Sequence, residues 1–144
     1  MSSETVADIL LVEDNEGDVE LTKLAFEEAN VPVNLVVAND GAAALEYLHQ
    51  KVESHQVPTP KLILLDINMP RMDGMEFLQI IKQDERLKVI PVIMLTSSRA
   101  SKDILESYRR HANSYILKPD SIERRIDMAK QLHDFWINLA QAAA

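Results

Sequence analysis

The run Leu62-Ile63-Leu64-Leu65 stops abruptly in a carboxylate, Asp66, and constrains the fold more than any other stretch. Four apolar residues between Lys61 and Asp66 suit a strand and are too few for a typical helix. A strand apolar on successive positions is buried on both faces, as in the middle of a parallel sheet. An acid at the carboxyl end of such a strand stands where open α/β sheets bind their ligands. A lone Asp there is more often a turn or capping residue, so its company decides.

That company is a chain in which strands and helices alternate. Strands are expected at about Asp8–Val12, Val33–Ala38, Pro91–Leu95 and Asn113–Leu117 besides the central one. They are followed by Glu13-Asp14, Asn39-Asp40, Thr96-Ser97-Ser98 and Lys118-Pro119. Asn15 is expected to cap a first helix, with Asp18 at its third position favourable to the helix dipole and Leu21, Leu24 and Ala25 as its core stripe. A second helix starts at Asn39-Asp40-Gly41 and reaches about Val52, before a polar loop, Glu53–Lys61, that holds Pro58 and Pro60. Asp73 with Glu76 has the form of a capping box and opens a third helix carrying Leu78 and Ile81. A fourth, Ser101–Arg110, carries Ile104, Leu105 and Tyr108, and Asp120 with Glu123 opens a last helix reaching about Leu139.

Repeated βα units with strands buried on both sides call for a doubly wound parallel sheet with helices on both faces, an α/β fold. Right-handed crossovers place every strand's carboxyl end on one edge. Glu13, Asp14, Asp66, Thr96 and Lys118 all follow strand ends, so that edge collects them. Three carboxylates so gathered repel, and one takes up a proton unless a cation intervenes. Oxygen ligands without His or Cys suit a hard divalent ion, and few carboxylates with open water positions favour Mg²⁺ over Ca²⁺. A carboxylate, a divalent cation, an ammonium and a hydroxyl together suit receipt of a phosphoryl group as an acyl phosphate.

Composition narrows the alternatives. A length of 144 residues fits one domain, and a net charge of −8 argues against direct nucleic-acid binding. The absence of cysteine excludes disulfides and thiolate sites, and three glycines leave no glycine-rich nucleotide loop. No apolar run approaches the roughly 18 residues of a membrane span, and Met1–Asp8 has no signal core, so a cytoplasmic protein without membrane contact is expected. The pairs Arg109-Arg110 and Arg124-Arg125 read as solvated helix faces, and His49, His55, His111 and His133 as surface or loop residues.

Glu13-Asp14, Asp66 with Met69-Pro70 and Asp73-Gly74, Thr96-Ser97 and Lys118-Pro119, in this order, resemble the receiver domains of two-component response regulators. The resemblance spans about Asp8 to Leu139 and implies a flavodoxin-like five-stranded sheet of strand order 2-1-3-4-5. It implies Asp66 as phosphoacceptor, served by a sensor histidine kinase, and an Mg²⁺ site of Glu13, Asp14, Asp66 and the backbone carbonyl of Asn68. It also implies Thr96 and Lys118 as phosphoryl-contacting groups, and Tyr115 as an aromatic switch that turns inward as Thr96 moves toward the phosphoryl group. Asn68 and Ser98 hold the positions that tune dephosphorylation, and the Lys118-Pro119 peptide is expected to be cis. His111 stands where the pattern often has Gly, and a His can occupy the left-handed conformation there at some strain.

The loop Lys51–Pro60 and the terminal Asp134-Phe135-Trp136 resemble regulators that pair with bacterial phytochrome kinases. A single receiver domain over residues 1–144 with no output domain is expected, working through its own surface on an unknown downstream protein or a second copy. Phe135 and Trp136 extend the apolar stripe of the last helix beyond what short strands can cover, and with Tyr108 they are the interface candidates. The expectation is a homodimer, formed through the fourth-helix, fifth-strand and fifth-helix face or through this helix end.

Three other functions compete. A flavodoxin-type FMN site would need a phosphate-binding loop where Glu13-Asp14-Asn15-Glu16 would repel phosphate. An aspartate-nucleophile phosphohydrolase would need a second acid where Asn68 stands, so an enzyme of that class is not expected. A receiver-like adaptor working without phosphorylation would not need the complete set of site residues.

Overall fold

The computed structural model describes residues 6–54, 59–69 and 72–139. Strands β1 (Ala7–Val12), β2 (Val33–Ala38), β3 (Leu62–Leu65), β4 (Val92–Thr96) and β5 (Ser114–Leu117) form one sheet in the order β2-β1-β3-β4-β5. Every pairing is parallel. The connecting and closing helices are α1 (Glu16–Ala29), α2 (Gly41–Ser54), α3 (Gly74–Gln83), α4 (Ser101–Arg109) and α5 (Ile122–Leu132). None is long and apolar enough to cross a membrane.

Alternate strand residues point to opposite faces, and each face has its own core. Leu10, Ile63, Leu65 and Met94 pack with Leu48 of α2 and Phe77 of α3. Ile9, Leu11, Leu64 and Ile93 pack with Phe26 of α1 and Met128 of α5. All four residues of β3 are fully buried, which is why this strand reads as an unbroken apolar run. Cutting Leu64 to Ala would cost about 2–5 kcal/mol, through lost burial and the cavity left behind.

Caps aim the loops of the carboxyl edge. The Asn15 side chain accepts from the Asp18 N–H at 2.9 Å and starts α1, and Asp73 does the same for α3 from Glu76 at 2.9 Å. α4 ends at His111, whose φ of 72° is the left-handed conformation expected there. The His111 N–H donates to Tyr108 O and the Ala112 N–H to Ser107 O, the paired bonds of a Schellman ending.

Several expectations are corrected. The buried stripe of α1 is Val19, Thr22, Ala25, Phe26 and Ala29, while Leu21 and Leu24 are exposed. On α4 only Ser107 is buried, and Leu105 and Tyr108 face outward, because this helix lies beside the edge strand. α5 is capped by Ser121, one residue after Asp120, with its side chain accepting from the Arg124 N–H at 3.2 Å. It reaches Leu139 as expected, but His133–Leu139 is wound as a π-helix. No cis peptide occurs among the described residues, so Lys118–Pro119 is trans, the lower-energy form of such bonds by about 0.5–1 kcal/mol. Arg125 and His133 are buried rather than solvated. Pro58, His55 and Pro70 lie outside the described residues.

Candidate functional site

The carboxyl edge begins with β1. Its apolar run ends in Glu13, which stays buried, and the chain then turns outward so that Asp14 is exposed. β3 ends next to it in Asp66, whose N–H donates to Val12 O at 3.1 Å. Each of Glu13, Asp14 and Asp66 offers a carboxylate oxygen, and these lie within 4.8 Å of one another. One Asp66 oxygen accepts from the Ile67 N–H at 2.9 Å, and one Glu13 oxygen accepts from the Asn15 N–H at 3.2 Å.

Lys118, delivered by β5, reaches into this group. Its Nζ lies 2.7 Å from Glu13 Oε1, 2.8 Å from Asp18 Oδ2 and 3.5 Å from Asp66 Oδ2. The Lys118 side chain is only 9% exposed, so these contacts are shielded from water. Burial alone would lower the lysine's pKa, but Asp18, Glu13 and Asp66 together raise it above the usual lysine range. Glu13 moves the other way from a satisfied ion-pair partner: burial, joined by the charge of Asp66, pushes its carboxyl above the ordinary value despite Lys118. The lysine is over-supplied with acids and the acids are under-supplied with cation. A hard divalent ion fits that deficit, held by Glu13, Asp14 and Asp66, and it would supply the missing positive charge.

Gly74 holds the loop after β3 in place. Its N–H donates to Ile67 O at 2.8 Å, and a Cβ there would collide with the backbone of Asp66 and Ile67. In the sequence Asp73-Gly74 is visible as a motif, but no local pattern announces this close approach.

Thr96 is fully buried at the end of β4, and its carbonyl accepts from the Lys118 N–H at 2.9 Å. The Ser98 hydroxyl is committed to Asp103 Oδ2 at 2.6 Å, which ties the loop to the first turn of α4. The Tyr115 ring packs against the core and its hydroxyl donates to Ser98 O at 2.9 Å, an inward position. Asn68 is exposed on the loop two residues beyond Asp66.

The remaining candidates lie apart from this edge. Phe135 is half exposed, whereas Trp136 is partly buried against the core beside α5, and the two rings meet edge-on at 5.1 Å. Tyr108 is exposed on α4. Ile116, Pro119, Met128 and both aromatic residues line an open groove of about 680 Å³, which contains no acidic cluster.

Two residues of the site are not visible in the sequence. Asp18 reads there as a dipole residue and Arg125 as a solvated charge, yet Arg125 Nη2 lies 2.9 Å from Asp18 Oδ1. Burial tends to raise the Asp18 carboxyl, but Lys118 and Arg125 together outweigh it and hold the pKa below the usual carboxylate range. Its place at the third helical position, favourable to the dipole, assigns Asp18 to its own helix, and nothing local announces a partner 107 residues away.

A parallel sheet in this order, with an acidic cluster suited to a metal ion facing a lysine at its carboxyl edge, defines a flavodoxin-like α/β architecture. The chain belongs to the response regulator receiver domain family, whose model matches residues 9–130. It is 39% identical over 129 residues to the response regulator Rcp1 of Synechocystis sp., covering 90% of this chain and 88% of that one. It is equally identical, over the same length, to the probable methanogenesis regulatory protein FilR2 of Methanothrix harundinacea, covering 90% and 83%. Among solved structures, the phosphorylated cyanobacterial phytochrome response regulator RcpA superposes with a TM-score of 0.86 at 38% identity, covering 97% of this chain and 100% of that one. Rcp1 has also been solved in an Mn²⁺-bound form, which matches with a TM-score of 0.82 at 37% identity over 96% of this chain and 99% of that one.

Proposed function

We propose that the protein is a response regulator that accepts a phosphoryl group from a phosphohistidine of a sensor histidine kinase onto Asp66. The observation that carries this reading is the meeting of Glu13, Asp14 and Asp66 within 4.8 Å, with Lys118 beside them. In the transfer, a carboxylate oxygen of Asp66 bonds to phosphorus as the P–N bond of the donor breaks, and the imidazole leaves as a neutral ring after taking up a proton. Glu13, Asp14, Asp66 and the Asn68 carbonyl would hold Mg²⁺, which when bound neutralises charge on the transferred oxygens. Lys118 serves the same oxygens as a point charge from the other side. Thr96 and Tyr115 would carry the change to the loop before α4, through Ser98.

The partner we favour is a phytochrome-type kinase. RcpA is described as a phytochrome response regulator, and the stretch Lys51–Pro60 and Asp134-Phe135-Trp136 resemble that subfamily in sequence. Output would pass through the chain's own surface, by dimerisation or by docking a downstream protein at Tyr108 on α4 or at the Phe135 end of α5. Asp66→Asn should abolish alkali- and hydroxylamine-labile labelling by a phosphorylated kinase, because no carboxylate oxygen is left to form the acyl phosphate. Label retained on that variant would overturn the assignment, and chelating Mg²⁺ should abolish labelling of the wild type as well.

A further inference from the structure

Lys118 is shared between the metal-site acids and one acid outside them. Asp18 comes from the first turn of α1 and takes Lys118 Nζ at 2.8 Å, beside the metal-site acid Glu13 at 2.7 Å and closer than Asp66 at 3.5 Å. The other Asp18 oxygen is fixed by Arg125 of α5 at 2.9 Å. Arg125 is 5% exposed, and its second nitrogen donates to Thr22 Oγ1 at 3.2 Å. The Thr22 hydroxyl donates in turn to Asp18 O at 2.8 Å. Asp18 is therefore held through one oxygen by Lys118 and through the other by Arg125, so that Arg125 opposes its following the lysine.

We propose that Asp18 is a positioning residue for Lys118: it holds the ammonium partly withdrawn from Asp66, and Arg125 anchors it, coupling the charge state of Asp66 to the contact between α1 and α5. The inference rests on the reading of Asp66 as the phosphoacceptor. One carboxylate is enough to neutralise a buried arginine, and a second cation on it adds nothing to that task. What the second cation changes is where Lys118 sits. A phosphoryl group on Asp66 adds roughly one further negative charge and several strong acceptor oxygens, and draws the ammonium toward it. Asp18 must then release Lys118, and Arg125 makes the release tolerable because Asp18 keeps one buried partner. Asp18 thus sets the free energy of handing the lysine over.

The test is a double-mutant cycle read by binding of beryllofluoride, an anion that occupies the phosphoryl position on a carboxylate, at saturating Mg²⁺. Wild type, Asp18→Asn, Lys118→Ala and the double variant are compared by titration calorimetry. Asp18→Asn should tighten binding about fivefold to tenfold when Lys118 is present, the scale of one net hydrogen bond, and less than about twofold in the Lys118→Ala background. An equal shift in both backgrounds would mean that only a nearby negative charge had been removed, and it would overturn the proposal, as would no shift in the Lys118 background. Should Asp18→Asn alone fail to fold, Asp18→Asn with Arg125→Met removes both members of the buried pair, and the same outcomes apply. If wild type binds no beryllofluoride at all, the phosphoacceptor reading falls and takes this inference with it. Binding with equal shifts sinks the inference alone.

Discussion

Two lysines, at opposite edges of the same sheet, are withdrawn from water, Lys82 partly and Lys118 almost wholly, and end in opposite states. Lys82, near the end of α3, donates to Lys88 O at 3.0 Å, Ile90 O at 2.8 Å and Asn113 Oδ1 at 3.4 Å, close to the starts of β4 and β5. All its partners are neutral, and burial lowers its pKa below the ordinary lysine value. Lys118, at the carboxyl edge, meets three carboxylates, which raise its pKa in spite of burial. The amino edge satisfies its cation's hydrogen bonds with neutral acceptors and, among the described residues, supplies no carboxylate to balance its charge. The carboxyl edge keeps an excess of negative charge that one ammonium does not cancel. Structural burial looks like the first arrangement, and the second has the unbalanced acidic cluster on which the proposed function rests.

An excess of charge persists only in a frame that cannot relax, and the largest effect expected is on that frame. Gly74→Ala drives a methyl group into the backbone of Asp66 and Ile67, with no flexible side chain to yield. A loss of about 3 kcal/mol in denaturant unfolding is expected, together with weaker metal binding. Wild-type stability in the Gly74→Ala variant would show that the loop gives way easily and that the edge is not rigid.

The two lysines themselves come next. Lys118→Met leaves Glu13, Asp18 and Asp66 without their shared cation and should cost about 3 kcal/mol in chelator. Millimolar Mg²⁺ should restore much of that, since an ion that binds only the folded state stabilises it. Lys82→Met removes hydrogen bonds to neutral acceptors, should cost about 1–2 kcal/mol, and should be indifferent to Mg²⁺. Equal responses of the two variants to Mg²⁺ would erase the distinction between the edges.

The residues that separate the two edges differ in how visible they are in the sequence. Glu13, Asp14, Asp66 and Lys118 are legible because each stands within two residues of the end of a strand, and parallel topology brings strand ends together whatever the helices do. Helix phase is less legible. The first helix offers Leu21 and Leu24 as an apolar pair, but the sheet takes the neighbouring stripe through Val19, Thr22 and Phe26, with Thr22 counted as polar until its hydroxyl is seen to bond the backbone. Arg125 is hidden for the same reason, as a charge buried by a partner on another helix. The structure also leaves Trp136 partly covered, where the sequence suggested an exposed aromatic pair. Long-range pairing decides all of these cases, and periodicity carries no information about it.

The smallest effect is a difference of sign between the two lysines in alkaline solution. Lys82 has a folded pKa below its unfolded value of about 10.5. Between those two values the unfolded chain binds more protons than the folded one, so this lysine's contribution to stability rises with pH through that window. Lys118 has a folded pKa above the unfolded value, so its contribution is complete below about 10.5 and is lost as pH rises through the folded pKa. In metal-free protein, the stability of wild type relative to Lys82→Met should therefore grow as pH approaches 10.5, and the stability relative to Lys118→Met should decline beyond it. Urea unfolding of the three proteins along an alkaline pH series reads both differences directly. Parallel slopes would mean that the acids around Lys118 do not hold its proton, and the contrast between the two edges would then be one of geometry without charge.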